Sequence, residues 1–371
     1  MKTNTPRTTP RRYLRRLTLI FYALLPLCGF CARASAHYLF VATPTSNCVT
    51  VIDSTNDAFV KTIPVGSQPI RISPSLDRSK AYVSNQQSNT VSVIDTTELS
   101  TIATIEVGAS PQESAVNPMG QQLFVVHQAG SYATVIDTNT DEVITQVYIG
   151  GTGAKDVLFR NDGRYAYVAN YSDGSVNVID TATYREKEIM TGAGARRLAI
   201  SPAGDRVFVT NYDANTVSAI DTRKQRLIAT TAVGRGPRGI AIAPQGDALY
   251  VTNVNDDTVS ILDPVTMVVD KTLAVGDIPW QVIITSDGSK AFVSNSGSGT
   301  VSIIDTSLKI VTDTLDAGAG AFFSAFDPEE DKLYVSDCRE NSVSVIDVNE
   351  LKVMTKISGL SPYPFDLTFG P

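Results

Sequence analysis

The chain has 371 residues, of which 43% are hydrophobic, and its 31 Lys and Arg against 38 Asp and Glu give a net charge of −7. This length suits one large domain or two ordinary ones. The acidic balance argues against general binding to nucleic acid or anionic lipid, so any anion site has to be local.

Residues 1–36 differ in composition from the rest of the chain. They hold seven basic residues and no acidic one, and an apolar run from Leu17 to Phe30 is followed by small residues at Ala34 and Ala36. A basic head, a short apolar middle and a small-x-small end predict a secretory signal peptide. The apolar run is shorter than the roughly 20 residues of a membrane-spanning helix, so we expect a cleaved leader and no membrane span in the mature chain.

The predicted leader sets the compartment and the charge of the mature chain. We expect a periplasmic, secreted or cell-surface protein, and Arg11–Leu14 leaves Sec and twin-arginine export as open alternatives. Without residues 1–36 the chain has 24 basic against 38 acidic residues, a net charge of −14. We expect residues 37–371 to form a single monomeric domain.

The rest of the chain is an eightfold repeat. The phrase VID or a close variant recurs at intervals of 41 to 43 residues, a register that chance does not keep. The phrases end at Asp53, Asp95, Asp137, Asp180, Asp221, Asp263, Asp305 and Asp347. Each repeat has four runs rich in Val, Ile, Thr and Tyr, separated by Gly, Asn, Asp and Pro, which is typical of antiparallel strands and tight turns. We therefore predict an all-β fold, an eight-bladed β-propeller of four-stranded antiparallel blades.

The two ends of the repeat region predict how the ring closes. Residues 364–371 match an innermost strand with nothing after it, and residues 38–53 match a second and a third strand without a first. Pairing these fragments completes one blade and removes exposed sheet edges. Small side chains also recur at one place in the innermost strand, where strands converge on the axis. They are Ser73, Ala115, Ala199, Ala241, Ala325 and Thr368, with Leu158 and Ile283 as exceptions.

The phrases YVSN, YVAN, FVTN and YVTN, followed by TVSVID and VGxxP, resemble the YVTN family of β-propeller repeat proteins. The resemblance covers residues 37–371 and is specific for the fold. It implies an exported propeller of the YncE-like or surface-layer type, among which seven blades are common, so the eight repeats counted here are a departure. The family implies little about chemistry, because propellers host many unrelated functions.

The recurring polar residues have structural explanations. The aspartate that ends each VID phrase lies at a strand end, where it accepts hydrogen bonds from the following backbone, and the asparagine of YVTN acts likewise at the next turn. Histidine is scarce, and His37 and His127 form no HxH or HExxH pair, so we predict no metal site. With no CxxCH phrase and few axial ligands we also predict no haem or other cofactor.

Cys48 and Cys338 lie in adjacent repeats, on either side of the predicted closure point. In an oxidising compartment they are able to form a disulfide that latches the ring. Two free thiols are the alternative that the sequence leaves open.

The copies differ most in the two residues that follow each GxxP turn, at the start of the innermost strand. Basic residues come from three consecutive repeats and aromatic residues from the next three. The candidate binding residues are Lys155, Arg196, Arg197, Arg238, Trp280, Phe322, Phe323 and Phe365. A basic arc beside an aromatic arc suits an anionic or aromatic small molecule, or an acidic segment of a protein partner. The alternative is that these side chains pack between blades or fill a wide hub.

We therefore predict a non-enzymatic exported propeller that acts as a binding scaffold at one axial face. An enzyme of a lactonase-like or lyase-like propeller class, with Glu113 and Asp156 as its carboxylates, is the alternative. The scarcity of histidine, the usual general base, counts against this alternative. A cell-surface adhesion module is a third hypothesis.

Overall fold

The computed structural model describes residues 37–370, and the predicted signal peptide of residues 1–36 lies outside them. Within this range all regular structure is β-strand, apart from a 3-10 turn at Pro44–Ser46. The strands form eight four-stranded antiparallel sheets, so the predicted eight-bladed propeller is confirmed. In the described part of the chain, no helix has the length and apolar character needed to cross a bilayer.

The blades follow one another in chain order, except that blade 1 combines both ends of the described chain. Blade 1 contains β1 (Tyr38–Thr43), β2 (Cys48–Asp53), β3 (Ala58–Pro64) and β32 (Leu367–Phe369). Blades 2 to 4 contain β4 (Pro69–Pro74), β5 (Lys80–Asn85), β6 (Thr90–Asp95), β7 (Ser100–Glu106), β8 (Pro111–Val116), β9 (Gln122–His127), β10 (Tyr132–Asp137), β11 (Glu142–Tyr148), β12 (Ala154–Phe159), β13 (Tyr165–Asn170), β14 (Ser175–Asp180) and β15 (Glu186–Met190).

The remaining blades have the same plan. Blades 5 and 6 contain β16 (Ala195–Ile200), β17 (Arg206–Asn211), β18 (Thr216–Asp221), β19 (Arg226–Ala232), β20 (Pro237–Ile242), β21 (Leu249–Asn253), β22 (Thr258–Leu262) and β23 (Val269–Ala274). Blades 7 and 8 contain β24 (Pro279–Ile284), β25 (Lys290–Asn295), β26 (Thr300–Asp305), β27 (Ile310–Asp316), β28 (Ala321–Phe326), β29 (Lys332–Asp337), β30 (Ser342–Asp347) and β31 (Lys352–Ile357).

The core lies between the blades. The innermost strand of each blade contacts the innermost strands of both neighbouring blades. In blade 1 this strand is β32, and its contacts with β28 and β4 complete the circle around the axis. The central strands β5 and β6 are buried along almost their whole length, whereas the outermost strand β3 is mostly exposed. Central strands pack against neighbouring blades on both faces, which explains why their apolar residues do not alternate with polar ones.

The two ends of the described chain close the ring. Strand β32 pairs antiparallel with β1, placing Leu39 opposite Phe369. Just beyond the pair, the Ala42 amide donates to the Asp366 carbonyl oxygen at 2.8 Å. The predicted pairing of the C-terminal residues with strand β1 is therefore confirmed, and the sheet edge of β1 is covered.

The recurring polar residues hold turns, as predicted. Seven of the eight VID aspartates accept the amide hydrogen of the residue two positions on, as Asp53 does from Thr55 at 2.8 Å. The eighth, Asp305, accepts the amide hydrogen of the residue three positions on. The buried Asn85 side chain donates across its turn to Ser92 Oγ at 3.0 Å, and three other blades repeat this contact.

Both cysteines of the described region are free, buried thiols. Cys338 Sγ donates to the carbonyl oxygen of Pro364 at 2.9 Å, and Cys48 Sγ lies 3.0 Å from Thr43 Oγ1. Of the two alternatives that the sequence left open, the structure has the free thiols. Closure in the structure therefore rests on backbone pairing and not on a bridge between Cys48 and Cys338.

Candidate functional site

The variable residues lie at one end of the ring, which we call the mouth face. It carries the GxxP loops that precede the innermost strands. The turns between second and third strands lie at the same end, because the first residue of an innermost strand pairs with the last residue of the second, as Pro69 does with Asn85. The opposite end, with the turns between first and second strands, is the far face.

The second residue of each variable pair faces the axial channel at a common level. These eight residues, which we call the channel layer, are Arg71, Glu113, Asp156, Arg197, Gly239, Gln281, Phe323 and Asp366. Successive residues of a strand point to opposite sides, so only one member of each pair is expected to face the axis.

Five members of the channel layer form a continuous series of ion pairs across five blades. Arg71 lies between Asp366 and Glu113, with nitrogen–oxygen distances of 2.7 Å to each. Arg197 lies 2.7 Å from Glu113 and 3.4 Å from Asp156. Charges buried near an axis are tolerated when they are paired in this way. The network therefore links blades 1, 2 and 3 in order, and then joins blade 3 to blade 5 and blade 5 to blade 4.

Burial changes the titration of this network. It raises the pKa of Asp156 to about 6, although Arg197 opposes the rise. Burial alone lowers the pKa of Arg197, but the carboxylates of Asp156 and Glu113 raise it overall. The Leu198 amide also donates to Asp156 at 2.8 Å, which favours the ionised carboxylate. The arginine therefore stays charged, and the carboxylates decide the charge of the layer.

Three further cations, Lys155, Arg196 and Arg238, lie beside the network. Among residues 37–370 none of them forms an ion pair. Burial, then Arg196 and Arg238, lower the pKa of Lys155 to about 8. Burial, then Arg196 and Arg197, hold the pKa of Arg238 well below its usual value. Each cation raises the electrostatic energy of the others, which an anion would relieve.

Arg196 extends toward the mouth face. Its guanidinium carbon lies 5.9 Å from the centre of the Tyr171 ring and 5.3 Å from that of Tyr212, within cation–π range. Neither tyrosine is among the binding residues predicted from the sequence. The sequence does contain a signal for them, because the residue after the YVTN asparagine also varies between repeats, as it does where another residue replaces that asparagine. These residues are Pro44, Gln86, Gln128, Tyr171, Tyr212, Val254, Ser296 and Cys338.

The predicted aromatic residues also contact one another. Trp280 and Phe322 pack edge to face with ring centres 4.7 Å apart, and Phe365 lies 6.0 Å from Phe322 and 5.0 Å from Phe323. The aromatic and basic groups meet where the Arg238 guanidinium lies 3.1 Å from the centre of the Trp280 ring. The structure therefore brings the two predicted arcs side by side.

The channel contains an axial cavity of about 740 Å³, and only some of the predicted binding residues line it. Its lining includes Arg197, Arg238, Trp280 and Phe323. It does not include Lys155, Arg196, Phe322 and Phe365, which we call the mouth cluster. Arg238 and Trp280 also line the channel, although each is the first residue of its variable pair. They lie beside Gly239, which has no side chain to occupy this part of the channel.

The carboxylates considered for an enzyme, Glu113 and Asp156, are both held by Arg197 in the ion network. His127 is buried in β9 in the place of the recurring asparagine, with Nε2 2.9 Å from Thr134 Oγ1. Over residues 37–370 the structure shows no group of three His, Cys, Asp or Glu able to hold a metal ion.

Comparison with known proteins gives one family match. Residues 116–257 match the model of the cytochrome D1 heme domain. This segment contains Lys155, Arg196, Arg197 and Arg238, whereas the predicted aromatic residues follow it in the chain. No curated protein matches the chain at a significant level.

Several solved structures share the propeller architecture. The dihydro-heme d1 dehydrogenase NirN in complex with DHE has a TM-score of 0.77 at 14% identity, over 89% of this chain and 74% of that one. Hydrazine synthase of Kuenenia stuttgartiensis has a TM-score of 0.61 at 23% identity, over 72% and 92%. AztD of Citrobacter koseri has a TM-score of 0.65 at 14% identity, over 91% and 98%. At these identities the likeness shows the fold alone.

Proposed function

We propose that the chain is an exported, non-enzymatic propeller of the YVTN type whose mouth cluster binds an anionic ligand with a planar face. The observation that carries the proposal is the pair Lys155 and Arg196. The two cations are partly buried and form no ion pair among the described residues; burial and Arg196 lower the pKa of Lys155, and burial and Arg197 lower that of Arg196. A desolvated cation without a counter-ion is costly, and an anionic ligand would supply the missing charge.

The surroundings of the two cations suit a ligand of two parts. Anionic groups would contact Lys155 and Arg196. Arg238 and Arg197 lie close enough to Lys155 to add positive potential there. A flat ring would pack on Phe322 and Phe365, the aromatic members of the mouth cluster. Aromatic faces with a few placed charges are the usual lining of small-molecule sites.

The family match supports a class of ligand. A haem is a planar macrocycle with acidic side groups, and the segment that matches the cytochrome D1 heme domain holds the basic residues. In the mouth cluster, Lys155 and Arg196 would pair with the acids, and Phe322 and Phe365 would contact the ring. The cluster offers no histidine to the iron, because the two histidines of residues 37–370 lie elsewhere, His127 within β9 and His37 beside Glu329. We therefore propose recognition of an acidic planar tetrapyrrole, and no reaction at a metal.

A direct test uses a porphyrin without metal. The purified protein is titrated with tetracarboxyphenylporphyrin and with the tetracationic N-methylpyridyl porphyrin, and binding is followed by porphyrin absorbance. We expect saturable binding of the carboxylate form only. The double variant Lys155→Gln/Arg196→Gln should bind it about tenfold more weakly or worse, since charged hydrogen bonds are lost.

The matched control is Arg226→Gln, because Arg226 is exposed in the outermost strand β19. It should bind like the parent protein. Equal binding of both porphyrins, or normal binding by the double variant, would contradict the proposal. If the carboxylate porphyrin does not bind but an acidic aromatic peptide binds saturably, the site recognises a protein partner, and the tetrapyrrole assignment is overturned.

A further inference from the structure

The axial cavity is a second candidate site, at the other side of the channel layer from the mouth cluster. It begins at the channel layer and extends to Leu76 and Pro244, which lie in turns of the far face. None of the four mouth-cluster residues lines it. We call it the axial chamber. Its volume of about 740 Å³ lies in the range of small-molecule sites.

Two buried donors without partners belong to side chains that line the chamber. Arg238 is 6% exposed, and its Nε has no hydrogen-bond partner among the described residues. Trp280 Nε1 likewise finds no acceptor in residues 37–370, and both side chains line the chamber. Buried donors are nearly always paired in proteins, so two unpaired donors on adjacent side chains indicate an acceptor that the chain itself does not provide.

The charge of this corner also indicates what the acceptor is. The neighbours that act most strongly on Arg238 are Arg196, Arg197 and Arg71, all positive. The carboxylates of the channel layer are engaged elsewhere, since Glu113 is within 2.7 Å of both Arg71 and Arg197. The Arg238 guanidinium lies over the face of the Trp280 ring, so the two unpaired N–H donors are close together, and a carboxylate has two acceptor oxygens to offer them.

The walls of the chamber are apolar on one side, whereas Ser73, Ser114 and Thr368 line it in blades 2, 3 and 1. Ala241, Ile242, Ile283 and Ile284 line the chamber on the side of blades 6 and 7, and Val116 lines it in blade 3. The small residues that recur in the innermost strands leave this space open, since a larger side chain there would fill the axis. At the far-face rim, Leu76 is 56% exposed, so an apolar surface continues to the opening.

From this geometry we infer that the axial chamber binds an apolar molecule with one carboxylate head, of the class of medium-chain fatty acids. The carboxylate would accept hydrogen bonds from Arg238 Nε and Trp280 Nε1, and the aliphatic chain would lie along the isoleucines of β20 and β24 toward the far face. This site is separate from the proposed tetrapyrrole site, and neither requires the other.

A single negative charge fits better than two. Arg238 is the one guanidinium of the chamber lining without an ion pair among the described residues. Three carboxylates of the channel layer, Glu113, Asp156 and Asp366, line the same chamber and would repel a second negative charge. Phosphate esters and dicarboxylates should therefore bind less well than a monocarboxylate.

Trp280 provides a specific readout, because it is the only tryptophan of the chain. The purified protein is titrated with dodecanoate below its micelle concentration, with dodecanol as the uncharged match, and binding is followed by tryptophan fluorescence and calorimetry. We expect one saturable site for dodecanoate that changes the fluorescence. Dodecanol should bind at least tenfold more weakly, and so should dodecanoate to Arg238→Met.

Arg226→Gln is the matched arginine control, because Arg226 is exposed in the outermost strand β19 and does not line the chamber. It should bind dodecanoate like the parent protein. Thermal melting of Arg238→Met shows whether the variant is folded, and Ile283→Glu, which places a negative charge on the chamber wall, is a second variant that should lose dodecanoate binding. Equal affinity for dodecanol and dodecanoate, or an unchanged affinity in both variants, would overturn the inference.

Discussion

Arginine side chains near the axis differ in what neutralises them. Arg71 has carboxylate oxygens of Glu113 and Asp366 at 2.7 Å. Arg238 instead has the face of Trp280 at 3.1 Å, whose ring quadrupole compensates its charge in part. The same residue type is therefore a structural crosslink at one position and a candidate ligand anchor at the other.

This difference predicts opposite effects of one substitution. Arg238→Met removes a buried charge that has no counter-ion, and we expect the free energy of unfolding to rise by about 1 kcal/mol. Arg71→Met leaves the buried Asp366 without its arginine and Glu113 with Arg197 alone, and the free energy of unfolding should fall by about 3 kcal/mol. Urea denaturation of the ligand-free proteins measures both. A loss of stability in Arg238→Met as large as that in Arg71→Met would show that its guanidinium is already neutralised.

Lys155 predicts a pH dependence of binding at the mouth. Its pKa is lowered to about 8 by burial and by Arg196, Arg238 and Arg197. Above this pH the amine is neutral, so the affinity for tetracarboxyphenylporphyrin should fall about tenfold between about pH 7 and about pH 9. Absorbance titrations across this range measure the effect. Lys155→Arg keeps its charge and should remove most of the dependence, and an identical pH profile in this variant would contradict the role of Lys155.

The two thiols predict a pattern of alkylation. Burial, followed by Asp337, raises the pKa of Cys338 to about 12, so its reactive thiolate is scarce at neutral pH. We expect slow reaction of Cys48 and Cys338 with iodoacetamide in the native protein. Both should react fully in denaturant without reductant, as peptide mapping would show. Protection that persists in denaturant and ends only on reduction would mean that the two are bridged.

At the scale of elements, the innermost strands are joined across blades by side chains as well as by packing. Each blade is a separate sheet, so no backbone ladder crosses from one blade to the next. The ion network joins blades 1 and 2, 2 and 3, 3 and 5, and 4 and 5, since Glu113 holds arginines from blades 2 and 5. The channel layer therefore stabilises the arrangement of blades that forms both candidate sites.

Glu113 is the most connected member of this network. Glu113→Gln leaves Arg71 and Arg197 with fewer carboxylates, and we expect the free energy of unfolding to fall by about 3 kcal/mol. The control Asp270→Asn breaks the partly exposed pair with Lys309 and should change it by less than about 1 kcal/mol. Denaturant unfolding of both variants makes the comparison. Equal effects would mean that the buried network contributes no more than a surface pair.

At the scale of the whole molecule, the ring depends on the last strand. The three residues of β32 complete blade 1 and contact β4, so they connect the ends of the described chain. A propeller closed in this way has no exposed inner edge. Loss of β32 would expose the edge of β1 and interrupt the circle of innermost strands.

A polar substitution at the closure point tests this dependence. Leu367→Asp places a charge at a buried position of β32, and we expect a fall of at least about 3 kcal/mol in the free energy of unfolding. The matched change Val353→Asp lies in the outermost strand β31, where Val353 is 38% exposed, and should have little effect. Thermal denaturation and size-exclusion chromatography compare them, with aggregation expected for Leu367→Asp only. Similar behaviour of the two variants would show that closure does not depend on β32.

Most of the architecture followed from local sequence signals. Strand runs, turn residues such as Asp53 and Asn85, and the incomplete repeats at the two ends were sufficient for eight blades and for the closure by β32. These features are local because a turn or a strand is specified by residues within a few positions of one another. The basic and aromatic residues were also identified, because they stand out against a regular repeat.

Only the tertiary structure decided how those residues are used. Adjacent residues such as Arg196 and Arg197 look alike in the sequence, but one faces the mouth and the other joins the ion network. The partners of Arg71 are 42 and 295 positions away, and the place left by Gly239 brings Arg238 to the channel. Such contacts depend on the convergence of eight strands at one axis, which no local pattern specifies. The sequence alone therefore determined the ring, and the packing at its centre determined the two candidate sites.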